Sequence, residues 1–464
     1  MGFKTTSFFA LTALLYCLPV NFVSEKAWHL FIIFLATIIS VIFQIFPIVL
    51  SAIFGLTSCL VLGILDIKTQ ALYGFSTPIV WLIGSVFFIG RGFVNSRLGE
   101  RIAYFFIYYT AKTPLRLAYS LMLTELVVAP FIPSNTARSG GILLPILESI
   151  SNAFKRSFSK PEQDKMNAFL FQTVFHSSVS SSALFFTGTV SNSLAASFAK
   201  IQGVEFDWIT WFTITCIPAG LCLCLAPLFV YAMEHPNVKI PKSFQLLAKS
   251  KLDELGAFSF KEYLMVFILV LLLFLWIYGD SLGLHAASVA ILGVVLCLLT
   301  GAITFSEILA EDKAWETILW LSILITMSTY LKEFGFIAMI NQYAVQAISG
   351  LSFTLAAFLI LAGYFWIGYL FASNSSHISA LYSSFLGILL IIGMNPVLAG
   401  VILAVFSVLF ASLTHYGSTA GSILFSAGFV KMEKWWKTGL FVGFMNFWIW
   451  IIIGSLWWKF LGYL

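Results

Sequence analysis

Two short stretches of the chain, 239 residues apart, place the same order of hydrogen-bonding side chains in apolar surroundings. Pro133-Ser134-Asn135-Thr136-Ala137-Arg138-Ser139-Gly140-Gly141 interrupts the arms Leu117–Phe131 and Ile142–Ile150, and Ala372-Ser373-Asn374-Ser375-Ser376-His377 interrupts Leu351–Phe371 and Ile378–Ile392. Each reads serine, asparagine, hydroxyl residue, small or hydroxyl residue, cation. A helix that begins at such a break presents free backbone N–H groups and about half a positive charge, a setting suited to a carboxylate or phosphate. Ser134, Asn135 and Thr136 in the first motif, and Ser373, Asn374 and Ser375 in the second, add hydroxyl and amide donors. Two such loops facing one another would hold the two ends of a dicarboxylate.

The cations need explaining, because an unpaired charge near the centre of a bilayer costs about 2.5–3.5 kcal/mol even on lenient insertion scales. Arg138 requires an anionic partner. Candidates are a substrate carboxylate and Glu125, nine residues before Ser134. His377 stands at the same offset from Ser373 as Arg138 does from Ser134. Sodium-coupled carriers neutralise a dianion with cations held by carbonyls and hydroxyls at helix breaks. Arg138 and His377 are therefore read as charge-compensating groups in place of sodium, leaving a carrier that returns only when loaded.

About forty to fifty residues beyond each motif a second polar break follows: Thr187-Gly188-Thr189-Val190-Ser191-Asn192, then Thr414-His415-Tyr416-Gly417-Ser418-Thr419-Ala420-Gly421. Lipid cannot satisfy the backbone groups that such breaks free, so they persist only when buried in protein or lining a wet cavity. Paired interruptions in the two halves of a chain point to a binding site at a repeat interface near the midplane of a secondary transporter. Gly417 and Ser418 are assigned to substrate binding, with Gly188, Thr189, Thr414 and His415 in support. His176, also on an interrupted helix, reads as a neutral imidazole bridging helices. If the repeats are inverted, the first hairpin enters from one side of the membrane and the second from the other.

The elements that must position these residues are set by composition. Of 464 residues, 60% are apolar and only 10% charged, against about 45–50% and 25% in soluble domains. Stretches such as Trp28–Gln44, Pro47–Leu65, Trp208–Met233, Tyr263–Tyr278, Ala286–Ile303, Pro396–Leu413 and Leu440–Leu461 approach or reach the ~20 residues that cross a bilayer. The expected fold is all-α and polytopic: an inverted repeat of about eleven spans plus two re-entrant hairpins. An apolar run from Phe8 to Val20 without a cleavage site is read as a retained first span.

The net charge of +5 lies mostly in short loops. Lys155, Arg156, Lys160 and Lys165 form one group, Lys239, Lys242, Lys249, Lys251 and Lys261 a second, and Lys431, Lys434 and Lys437 a third. By the positive-inside rule all three are placed in the cytoplasm, as is the N-terminus. No nucleic-acid partner follows from this charge. With no transit segment ahead of the first span, a bacterial inner membrane is expected. The six cysteines lie in apolar segments and suggest neither a disulfide framework nor a metal site. The sequence has no HExxH, no GxSxG and no paired carboxylates on one helix face, so no catalytic residue is assigned.

Three stretches together, Ala129–Arg138, Tyr369–His377 and Leu413–Gly417, resemble the divalent anion:sodium symporter family. Within it they are similar to the dicarboxylate and citrate exchanger branch of 2-oxoglutarate/malate translocators. The resemblance covers nearly the whole chain. It implies a homodimeric elevator in which a transport domain slides against a dimerising scaffold. Residues 1–115 and 262–350 would be scaffold, 116–235 and 351–464 the two halves of the transport domain, and 236–261 a cytoplasmic linker. It also implies that Ser134, Asn135, Thr136, Asn374 and Ser375 contact substrate while Gly188 and Gly417 shape cation-type sites beside it. Ser375 stands where threonine is the commoner residue and Ser376 where alanine is usual.

The expected function is exchange of small dicarboxylates of the 2-oxoglutarate, malate, succinate or fumarate type, without sodium and without a cofactor. A sodium-coupled di- or tricarboxylate symporter on the same fold is the first alternative, and a sulfate or phosphate permease the second. An occluded site between duplicated hairpins fits a carrier better than a channel.

Overall fold

A computed structural model of the chain describes residues 3–20, 23–43, 45–155, 157–339, 342–343 and 350–464. Gln44 and Arg156, named above, lie outside them. Every regular element among the described residues is helical, with no strand. Among the described residues, eight helices are long and apolar enough to cross a membrane: Glu25–Ile42, Pro78–Asn95, Trp208–Glu234, Phe260–Tyr278, Asp312–Glu333, Phe353–Leu370, Pro396–Leu413 and Met432–Phe460. Ile48–Val61 and Ala286–Leu299 are apolar but shorter. The first helix, Phe3–Tyr16, has 14 residues and stops before Pro19.

Local signals account for the helix starts. The side chain of Ser24 accepts from the amide of Ala27, that of Thr113 from Arg116 ahead of Pro114, and that of Asp207 from Thr210. Each satisfies an amide that the first turn leaves without a helical partner.

The chain divides into two units. The first comprises residues 1–84, 193–206 and 312–407. Its central element is Asp312–Glu333, buried almost continuously from Thr317 to Leu331. Gly74 lets the chain lie directly on this helix. Its amide donates to Thr326 Oγ1 at 2.9 Å, and a Cβ there would sit 1.9 Å from the Ser322 carbonyl oxygen.

The second unit comprises residues 85–192, 207–311 and 408–464. Its core helix, Lys160–Leu184, is buried from Met166 through Leu184 although it contains nine hydroxyl, amide or imidazole side chains in that stretch. The expected linker is structured: residues Lys242–Leu255 form a helix whose Phe244 packs on Phe154. The chain after it is held by Arg101, which donates to the carbonyls of Leu255, Gly256 and Ala257 and pairs with Glu262. Gly256, at φ 69°, makes the turn that ends this helix.

Candidate functional site

The two motifs fold in the same way, one in each unit. In the second unit, Ser134 Oγ accepts from the amide of Ala137 at 3.1 Å and the Ser134 carbonyl from the amide of Arg138 at 3.0 Å. In the first unit, Ser373 Oγ accepts from Ser376 at 3.1 Å and its carbonyl from His377 at 3.2 Å. The serine is thus the cap of the second arm in both, which explains its place at the head of the motif. Asn135, Arg138, Asn374 and His377 are buried, while Ser134, Thr136, Ser373 and Ser375 are half-buried. A wide π-helical turn begins within the first motif, Ala137–Leu143, and another begins directly after the second, Ile378–Tyr382.

The breaks also match. Phe185 and Thr414, three residues before Gly188 and Gly417, are extended at φ/ψ −107°/133° and −136°/160°. Thr189 and Ser418, one residue after, are extended at −157°/150° and −147°/156°. Each glycine packs on the residue six before it. A Cβ on Gly188 would lie 2.9 Å from Ser182 Cα, and one on Gly417 3.0 Å from Ala411 Cα.

Within the second unit, the first hairpin is stitched to the first break. Val190 N donates to the Pro133 carbonyl at 3.0 Å, and Thr187 Oγ1 to that of Pro130 at 2.7 Å. Arg138 is central to this joint. Its Nε bonds Glu125 Oε1 at 2.7 Å, one terminal nitrogen donates to the carbonyls of Ile132 and Gly188, the latter at 2.7 Å, and the other donates to Ser182 Oγ at 2.7 Å. Glu125 Oε1 also accepts from Ser181 at 3.0 Å, and Oε2 has no partner among the described residues. Of the two partners that sequence offers Arg138, the structure places it on Glu125 and adds two backbone carbonyls.

The second break lies in the same unit. Gly439 and Gly443 bring the helix Met432–Trp448 against Ser412 and Leu413, and the amide of Gly421 is capped by Ser418 Oγ at 3.2 Å. His415 Nδ1 accepts from Trp436 Nε1 at 3.0 Å. A Cβ on Gly140, in the π-turn of the first hairpin, would meet Ile423 at 3.4 Å, so this hairpin and the second break are neighbours.

In the first unit, His377 Nε2 faces the Tyr364 carbonyl at 3.0 Å and Nδ1 faces Ser407 Oγ at 3.1 Å, while the Tyr364 hydroxyl meets Ser407 Oγ at 2.6 Å. Tyr364 precedes His377 by thirteen residues, as Glu125 precedes Arg138. Arg138 and His377 are therefore each buried with a residue thirteen before them on the first arm and with a serine from the helix that leads into a break. Tyr364 was not singled out by sequence; its equal spacing is the signal that would have found it. Asn374 Nδ2, on a side chain only 6% exposed, has no partner among the described residues. Among these residues no three of His, Cys, Asp and Glu gather as a metal-ligand set.

Many apolar helices, with polar breaks braced by buried side chains, define a multi-pass membrane protein of the kind that keeps a solute site at its interrupted helices. The chain belongs to the sodium:sulfate symporter family, whose transmembrane region matches residues 3–464; this is the divalent anion:sodium symporter family that the motifs resemble. It is 38% identical over 438 residues to "Putative malate transporter YflS" of Bacillus subtilis, covering 94% of this chain and 91% of that one. It is 36% identical over 443 residues to dicarboxylate transporter 1, chloroplastic, of Spinacia oleracea, covering 95% and 78%. Among solved structures, the YdaH transporter of Alcanivorax borkumensis shares the fold at a TM-score of 0.56 and 12% identity, over 84% of this chain and 86% of that one. The family and these relatives are transporters, not enzymes.

Proposed function

We propose that the protein exchanges small dicarboxylates across a membrane without sodium. The observation that supports this best is the position of Arg138, whose guanidinium donates to the carbonyls of Ile132 and Gly188. Carbonyl oxygens at a helix break are the ligands a hard monovalent cation takes, and here a covalently attached charge occupies them. A bound ion leaves when substrate leaves; an arginine does not. The empty carrier therefore keeps its charge, and return without counter-substrate is unfavourable. His377 has the corresponding place in the other motif. Asn374 Nδ2, buried and without a partner among the described residues, is available to a carboxylate. The names of the malate and dicarboxylate relatives agree with this substrate class.

In this reading Ser134, Asn135, Thr136, Ser373, Asn374, Ser375, Gly417 and Ser418 hold substrate, and the halves form an inverted repeat. Residues 116–235 and 351–464 then move as the transport domain of a homodimeric elevator in a bacterial inner membrane, with the N-terminus cytoplasmic. The test is uptake of labelled 2-oxoglutarate or malate into proteoliposomes, empty or preloaded with unlabelled dicarboxylate, each with and without sodium. Exchange predicts uptake only into preloaded vesicles in both salts. Sodium-driven uptake into empty vesicles would overturn it in favour of symport.

A further inference from the structure

The helix Lys160–Leu184 has a second polar face besides the one that meets the first motif. Ser178 and Ser182 point to the first hairpin, bonding Ser139 and Arg138. On another side of the helix, Gln172 Oε1, Thr173 Oγ1, both ring nitrogens of His176, Ser177 Oγ and Ser180 Oγ are buried and have no partner among the described residues. Every one of these side chains is at most 1% exposed. Their spacing forms two files at i, i+4, i+8: Gln172, His176, Ser180 and Thr173, Ser177, Ser181. At 100° per residue they cover an arc of roughly 180° over about 14 Å of helix.

Both ends of this ladder finish on a carboxylate paired with a cation. At one end Gln172 Nε2 donates to Glu234 Oε1 at 3.2 Å, and Glu234 pairs with Lys434 at 2.7 Å. Lys434 is 44% exposed, so this end reaches solvent. At the other end Ser181 bonds Glu125, whose Oε2 is free among the described residues.

The wall facing part of the ladder is the helix Trp208–Glu234. The pair Phe169 and Tyr231 at one level, with Trp211 on the Ala183 carbonyl and Thr215 on that of Leu184 at the other, sets an antiparallel register. Between these levels that helix buries small residues such as Ala219, Cys222 and Ala226. Pro227 also removes the amide that would bond the Leu223 carbonyl.

An unsatisfied buried hydroxyl or imidazole costs about 1–3 kcal/mol, and five side chains in one strip exceed what a marginally stable chain tolerates. Water satisfies such groups when each molecule finds two to four polar partners. We propose that this face binds a file of water running from the Glu234–Lys434 pair to Glu125, so that the buried ion pair is hydrated from the side away from the hairpin tip. The ligand is water itself, held by hydroxyl, amide and imidazole groups.

X-ray radiolysis of the full-length protein in nanodiscs tests this, because hydroxyl radicals form from bound water in place and oxidise the nearest side chain. His176 should be oxidised about tenfold faster than Phe154 and Phe171, which are equally inaccessible to bulk solvent and lie off the ladder. Oxidation of His176 as slow as theirs would overturn the proposal. The combined variant T173V/S177A/S180A should lose the excess oxidation at His176; an unchanged excess would remove these hydroxyls from the water site. The wild-type comparison decides the main point even if that variant does not fold.

Discussion

Arg138 shows how a single side chain can serve structure and charge balance together. Its donors are spread over Glu125, Ser182 and two carbonyls, so removing any partner leaves a desolvated group behind. Glu125→Ala should lower stability by about 3–5 kcal/mol, the usual cost of breaking a buried pair from one side, read as a fall in unfolding temperature in detergent. The double variant E125L/R138M should recover much of that stability while losing exchange, because apolar replacement removes both desolvation costs and also the fixed charge. Recovery of exchange with it would refute the charge-compensating role. Tyr364→Phe removes only the hydroxyl bond to Ser407, and the expected loss is about 0.5–1.5 kcal/mol. Glu125 was legible in the sequence as a partner for Arg138 because an unpaired arginine in apolar surroundings demands one. The two carbonyls were not, since backbone groups carry no residue-type signature.

At the scale of elements, the breaks depend on glycine for space rather than for dihedral freedom. Neither Gly188 nor Gly417 is among the residues with positive φ, yet a Cβ on either would press on backbone. Gly188→Ala should therefore displace the break by a few tenths of an ångström and cost about 1–3 kcal/mol, and uptake by preloaded vesicles should fall more than expression does. The helix Lys160–Leu184 starts with a capping box in which Ser159 donates to Glu162, and these bonds hold the Glu162 carboxyl below its ordinary value of 4.5. A depressed carboxyl stabilises the fold above its unfolded pKa, and this is lost as pH falls through the folded one. The stability difference between wild type and Glu162→Gln should thus be full near neutrality and shrink below about pH 4.5. The hydrophobic runs made most long helices readable to within a few residues. The π-turns and the helix Lys242–Leu255 were not, because the former are a matter of hydrogen-bond register and the latter has charged residues on its exposed face.

For the whole molecule, the duplicated order of hairpin and break was legible because polar residues are conspicuous in an apolar chain. The division into two units was not, since it depends on which distant segments pack together. The homodimer proposed here predicts a particle of twice the chain mass in nanodiscs by mass photometry; a single-chain particle that still exchanges substrate would refute it. Sodium should leave exchange rates unchanged when substituted for potassium on either side of the vesicle.

The π-turns at the two motifs have a consequence for rotational phase. A π-turn is a helix with one residue more than its turn needs, so it rotates everything beyond it by about 100° relative to an unbroken α-helix. Ser134 lies before the turn Ala137–Leu143 and Arg138 is its second residue, while Ile146, Leu147 and Ile150 lie after it, buried. The extra residue lets the motif and the apolar stripe of the arm each face their own neighbours. Deleting Gly141 would restore ordinary winding and force a choice: either the arm keeps its buried stripe and Arg138 swings away from Glu125, or the ion pair holds and the arm turns its apolar side outward.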